Sequence, residues 1–231
     1  MAMKLYPESN IQSIASAIRS KNGSSSTYTV MNMADAILNL GGDPSIFWGI
    51  VTRSISGNYT NSVVTSIGSY ALFSCRYLTS VSFPNCTTVG SSAFAYCYSL
   101  SSAILTNCTS LYQNVFYFCS NLRSMNLPSC SYIGSSAFRA CSSMHTVKTS
   151  ALKSIYAYAF YGCSKLTGLW LYGSSLCSLG TNVFTGSPMS NSTLTGSFGS
   201  IYVPSSFLAS YKAATNWTAY SARMVAIESI G

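Results

Sequence analysis

Apolar residues recur along this chain with two different rhythms. From Ile11 to Leu40 they fall three and four apart. Ile11, Ile14, Ala15 and Ile18 share one helical stripe, with Ser9 placed to cap its start and Gly23 beyond its end. Met33, Ile37 and Leu40 form a second stripe, begun by Thr29 and stopped by Gly41-Gly42. This spacing predicts a helical hairpin over residues 1–42. From about Val64 the rhythm changes to pairs two apart, such as Val81 with Phe83 and Met125 with Leu127. That period places both side chains of a pair on the same face of a strand. Pro84 and Pro128 then end the strand, because proline has no N–H to offer a ladder. In the intervening residues 43–63, loose alternation from Phe47 to Ile55 and a turn at Gly57-Asn58 predict a first strand or hairpin covering the open end.

The strand signals repeat, and the cysteines mark the period. Cys75, Cys97, Cys119, Cys141 and Cys163 are each 22 residues apart, and Cys86, Cys108 and Cys130 form a second series with the same spacing. One unit reads CSNLRSMNLPSCSYIGSSAFRA from Cys119. The unit from Cys163 carries two extra residues, and a partial upstream copy, TSIGSYALFSC, ends at Cys75. Self-similarity at a fixed period of this size marks a solenoid. A 22-residue coil cannot bury its own apolar face, but stacked coils share a continuous ladder of Leu, Phe, Ala and Cys. The chain is therefore expected to be a mainly β repeat solenoid over residues 64–198.

Nine cysteines in a short chain can also signal a disulfide framework. Here the in-register series put successive Cβ vectors in the same direction, which disfavours bridging geometry. Both series read instead as packing ladders of buried thiols, since free Cys behaves as a small hydrophobe. There are no CxxC pairs with His partners, so no metal site is expected, and no cofactor either.

The repeated unit resembles the bacterial BspA-type leucine-rich repeat, L-x-x-I-x-[LI]-P-x-x-[VL]-x-x-I-G-x-x-A-F-x-x-C. LRSMNLPSCSYIGSSAFRAC carries the match, which extends from about Val64 to Phe184. Residues 199–231 look like the closure usual in such arrays, a β/α cap with a last strand, a Pro and a short helix bearing Tyr, Lys and Trp. Tyr211, Lys212 and Trp217 stand in those places, with one residue fewer between Lys and Trp. The resemblance implies a solenoid that binds protein or glycan. A second resemblance concerns IQSIASAIRSKNGSSSTYTVMNMADAILNL, which is similar to segments of tail-associated proteins of phages and prophages of Gram-positive bacteria. It implies contact with virion or tail proteins through residues 9–40. The alternative for the same segment is a plain N-terminal cap of the solenoid.

Charge changes the picture in one respect. Charged residues make up 7% of the chain, against a typical value of about 25%. Nothing acidic lies between Asp43 and Glu228, whereas Arg53, Arg76, Arg123, Arg139, Lys148, Lys153 and Lys165 stand in that interval. The surface is therefore covered by hydroxyls, is weakly positive, and tolerates an anionic partner. Its cations are too scattered for a nucleic-acid footprint. Catalysis by paired carboxylates has no residues to use there. His145 is the one histidine, and Cys141, the cysteine nearest it in sequence, already belongs to a packing ladder. No catalytic residues are assigned, and the chain reads as a non-enzymatic binding or structural protein. MAMKLYPESN lacks an apolar run, so no signal peptide is expected in this form, and no apolar stretch is long enough to span a membrane.

Repeat register assigns the outward positions of the strands. Ser82, Ile104, Asn126, Lys148 and Trp170 form one column, and Thr79, Ser101, Arg123, His145 and Thr167 form another. The candidate ligand-binding face is Arg123, Asn126, His145, Lys148 and Trp170, with Ile104. Solvated drift is the plainer reading of this variety, and a basic, aromatic contact patch is the sharper one. Three functions follow. The leading expectation is a phage or prophage tail-associated protein, found in the virion or in host cytoplasm before assembly, that binds a host surface protein or glycan. The alternative is a BspA-like adhesin at the bacterial cell surface, and a third is an intracellular protein-binding decoy or inhibitor.

Overall fold

A computed structural model of the chain describes residues 56–62, 64–190 and 199–230. The helical hairpin expected over residues 1–42, and the strand expected from Phe47 to Ile55, lie outside the described residues. In chain order the first strands are β1 Ser56–Thr60, β2 Ser66–Ile67, β3 Tyr77–Ser82, β4 Thr88–Val89, β5 Ser102–Ile104, β6 Ser110–Leu111 and β7 Ser124–Leu127. There follow β8 Tyr132–Ile133, β9 Thr146–Thr149, β10 Ser154–Ile155, β11 Gly168–Leu171, β12 Ser178–Leu179 and β13 Ser200–Val203. Helix α1, Ser205–Ala213, then leads through a short 3-10 helix to β14, Met224–Ala226.

Every strand pair is parallel, as a coil-upon-coil stack requires. The long strands form one face in two blocks, β1-β3-β5 and β7-β9-β11-β13-β14. A single hydrogen bond from the Arg123 amide to the Ser101 carbonyl, 3.3 Å, links the blocks. The two-residue strands β2, β4, β6, β8, β10 and β12 form a second sheet. Gly57-Asn58 is not the expected turn. It lies inside β1, where the pairing with β3 slips by one residue and Gly57 takes φ +71°. Glycine admits that left-handed geometry, and the extra residue is Thr79 of β3, which has no ladder partner in β1 and forms a bulge while both strands continue.

The core is a set of columns with one residue per coil. Leu78, Leu100, Leu122, Met144 and Leu166 make one buried column, and Val89, Leu111, Ile133, Ile155 and Leu179 another. Phe94, Phe116, Phe138, Phe160 and Phe184 stack face on face, with centroids 5.1 to 5.8 Å apart and planes within 7°. All nine cysteines are buried free thiols. The first series reaches backward: Cys97, Cys119, Cys141 and Cys163 donate to Leu72, Phe94, Phe116 and Phe138 carbonyls, each at 3.1 Å. Cys86, Cys108 and Cys130 of the second series donate instead within their own coil. In four successive coils, from Cys97 to Cys163, a thiol at the same position thus ties each coil to the one before it.

Two residues per coil adopt left-handed backbone. Tyr70, Ser92, Asn114, Ser136, Tyr158 and Asn182 form one such column, with φ between 54° and 61°. Ser74, Tyr96, Phe118, Ala140, Gly162 and Gly186 form the other, with φ between 57° and 76°. These residues turn the chain back toward the next long strand. The amides of Tyr96, Phe118, Ala140 and Gly162 each donate to a carbonyl of the following coil, at 2.7 to 2.9 Å.

The C-terminal end closes by imitation. In the body of the array, the Leu111, Ile133 and Ile155 carbonyls accept from the Gly134, Tyr156 and Gly180 amides of the next coil. Leu179 has no next coil, and its carbonyl accepts from the Asn216 side-chain amide at 2.7 Å. One turn earlier the Lys153 carbonyl accepts from the Ser178 amide, whereas the corresponding Cys177 carbonyl accepts from Trp217 Nε1 at 2.7 Å. The Cys177 amide donates to the Tyr211 hydroxyl at 3.0 Å. Trp217 and Tyr211 are both buried; Trp217 and Tyr220 cover Phe184, the last phenylalanine of the stack, and Tyr211 meets Trp217 edge-on. Glu228 accepts from its own backbone amide and from the Ser205 amide, and these bonds hold its carboxyl below the ordinary value; the Ser205 bond, 2.9 Å, also satisfies a free donor at the start of α1.

Candidate functional site

The strand face offers the columns read from the repeat. Asn126, Lys148, Trp170 and Tyr202 are aligned across β7, β9, β11 and β13 by the strand register. Val147 and Leu169 beside them point into the core. Period two therefore forces Lys148 and Trp170 outward. Arg123 and His145 are exposed on the approach to the same strands, and the His145 amide donates to the Arg123 carbonyl at 2.7 Å. These residues fall on one block of the sheet. Ile104 is 50% exposed but belongs to β5 in the other block, so it borders the patch across the break between β5 and β7.

Trp170 is half-buried rather than openly exposed. Its indole stacks on Tyr202 with centroids 3.9 Å apart and planes 18° apart, and Tyr172 extends the layer at 5.8 Å. Lys148 Nζ lies 5.5 Å from the Trp170 ring centroid, within cation–π range. Gly168 makes room for this arrangement. A Cβ there would lie 3.2 Å from Trp170 Nε1 and 3.3 Å from Thr146 Cγ2. The result is a flat aromatic platform edged by cations. Tyr202 was not found by sequence reasoning, because it stands 32 residues after Trp170 and so falls off the 22-residue period. Its signal was present in the strand-like IYVP that resembles the closing strand of such arrays.

Cys141 is wholly buried, and burial lifts its thiol well above the ordinary value. It donates to Phe116, while His145 is exposed on the strand face, so the two do not form a nucleophile–base pair. Among the described residues, no group of three or more His, Cys, Asp or Glu could hold a metal ion. No helix among them is long and apolar enough to cross a membrane.

The family described as BspA type leucine rich repeat region matches this chain in six copies, over residues 52–167 and 131–219. The chain belongs to the BspA-type leucine-rich repeat family. No curated protein matches it in sequence. Solved structures share the fold of this BspA-type chain. A leucine rich cell surface protein from Faecalibacterium prausnitzii is 24% identical, with a TM-score of 0.53, over 67% of this chain and 41% of that one. A leucine-rich repeat protein from Bacteroides ovatus is 22% identical, with a TM-score of 0.55, over 74% of this chain and 42% of that one. The pneumococcal vaccine antigen PcpA is 12% identical, with a TM-score of 0.50, over 73% of this chain and 39% of that one. The BspA-type chain thus spans less than half the length of each of these proteins.

Proposed function

We propose that this chain is a non-enzymatic binding module of BspA type that works as an adhesin at the bacterial cell surface. Its contact residues are Arg123, Asn126, His145, Lys148 and Trp170, with Ile104 at the margin. The partner is a surface protein or glycan, and the charge balance favours an anionic one. The observation that carries this reading is the platform of Trp170 stacked on Tyr202 beside Lys148, with no carboxylate anywhere between Ser56 and Ser190. Large rings already ordered by stacking lose little entropy when a partner settles on them. The description of the Faecalibacterium protein as a cell surface protein supports the location. The tail-protein expectation rested on residues 9–40, outside the described residues, and neither the family match nor the solved structures support it.

Lys148→Ala combined with Trp170→Ala tests the reading in a screen of immobilised extracellular proteins and glycans by biolayer interferometry. Affinity for at least one partner of the intact chain falls at least about tenfold, while the circular dichroism spectrum is retained. A folded double variant that binds as tightly as the parent shows that the strand face is not the contact.

A further inference from the structure

A second surface lies at the turns rather than on the strands. The left-handed columns are where glycine and asparagine are cheapest, and this chain uses them at Gly162, Gly186, Asn114 and Asn182, with serine at Ser74, Ser92 and Ser136. At Tyr96, Phe118 and Tyr158 it places large aromatic residues there instead. These rings fill no core. Phe118 and Tyr158 are each 38% exposed, and Tyr96 is half-buried. A strained backbone that carries an exposed ring earns little for stability and points to use of the ring.

The rings also form one continuous ridge. Tyr96 stacks on Phe118 of the next coil with centroids 5.7 Å apart and planes 12° apart. Tyr117 meets both of them edge-on, at 5.4 and 4.8 Å. Arg139 carries the ridge across the following coil. Its guanidinium lies 5.9 Å from the Tyr117 ring, 6.0 Å from Tyr158 and 4.7 Å from Tyr161. The ridge runs along the solenoid axis, advancing one coil, roughly 4.8 Å, per step. No Asp or Glu lies between Asp43 and Glu228 to compete for that guanidinium.

We infer that this ridge binds a linear anionic polysaccharide laid along the solenoid axis. Tyrosine and phenylalanine faces stack on the apolar faces of sugar rings, and a repeating ridge suits a repeating polymer. Arg139, and Arg76 over the Tyr98 ring at 5.7 Å, supply the positive charge that selects an acidic chain over a neutral one. The ridge is independent of the strand face.

The test uses the full chain against hyaluronan and polygalacturonate, with neutral dextran as the comparison. The intact protein binds the two acidic chains, more weakly as salt rises, and does not bind dextran. Tyr96→Ser, Phe118→Gly and Tyr158→Asn together install residues that the same columns already hold elsewhere. Binding falls at least about tenfold and the thermal midpoint is kept or rises. Arg139→Gln alone, which spares the rings, lowers acidic-chain binding and its salt dependence. The Lys148→Ala, Trp170→Ala variant binds polysaccharide as the parent does. Failure of the intact chain to bind either acidic polymer overturns the inference, and so does full affinity in the triple variant or in Arg139→Gln. A ridge-dependent attachment to cells that protease abolishes and polysaccharide lyase spares also overturns it, in favour of a protein partner.

Discussion

Thr149 stands where Phe83, Leu105, Leu127 and Leu171 stand in the other coils, and it is 1% exposed. Its hydroxyl has no hydrogen-bond partner. A buried hydroxyl without a partner keeps its full desolvation cost. Thr149→Val removes that cost at almost constant volume and is expected to stabilise the fold by about 1 kcal/mol, read from the urea midpoint at unchanged slope. An unchanged or lowered midpoint contradicts the account. The inward column at Thr149 is legible from the repeat. The missing partner is not, because it depends on what neighbouring coils place within reach. The left-handed turns are hidden for a related reason. Tyr70, Tyr96, Phe118 and Tyr158 are poor candidates for positive φ on residue type alone, and only the coil-to-coil amide bonds force them there.

Elements show the same division between pattern and consequence. Long strands and their facing follow from Val81 with Phe83 and its counterparts, because period two has one structural meaning. The two extra residues of the last coil were visible in the sequence, but their role was not. They bring Cys177 to a position where its amide and carbonyl meet Tyr211 and Trp217, two residues of the closing segment. Trp217→Phe keeps most of the apolar burial but leaves the Cys177 carbonyl without its donor. The expected loss is about 1–3 kcal/mol, measured by denaturant unfolding. Trp217→Ala also opens a cavity against Tyr211 and is expected to cost about 3–5 kcal/mol. Equal effects from the two substitutions would show that the indole N–H contributes nothing. Tyr202 belongs to this scale as well, since a spacing of 32 residues, outside the 22-residue period, hides its alignment with Trp170 until the strands are seen paired.

At the scale of the whole molecule, the buried thiols act together. Burial, the largest influence on each, raises Cys108, Cys163 and Cys177 from 9.0 to about 12, and Cys130 to about 11. In the unfolded chain these thiols lose their protons near 9, whereas in the folded chain they keep them. The unfolded state therefore binds fewer protons above that pH, and stability falls as pH rises. Below about pH 9 the contribution is fully present, and it is lost progressively toward 12. Each such thiol adds about 1.4 kcal/mol per pH unit to the decline. Unfolding midpoints measured from pH 8 to 11 should drop steeply, and Cys130→Ala should make the drop shallower. A flat profile excludes this linkage. The same burial keeps the thiols from alkylating reagents until the array opens.

The closing segment has a consequence for how such a protein can vary. Asn216 and Trp217 offer the last coil the same donors that a further coil would have offered through its backbone. The cap therefore recognises a coil end that carries the two extra residues, whatever number of coils stands before it. Length becomes a free parameter of the molecule: units can be gained or lost upstream while the terminator stays unchanged. Both candidate surfaces run across several coils, so a change in unit number would alter reach and valency without demanding a new fold.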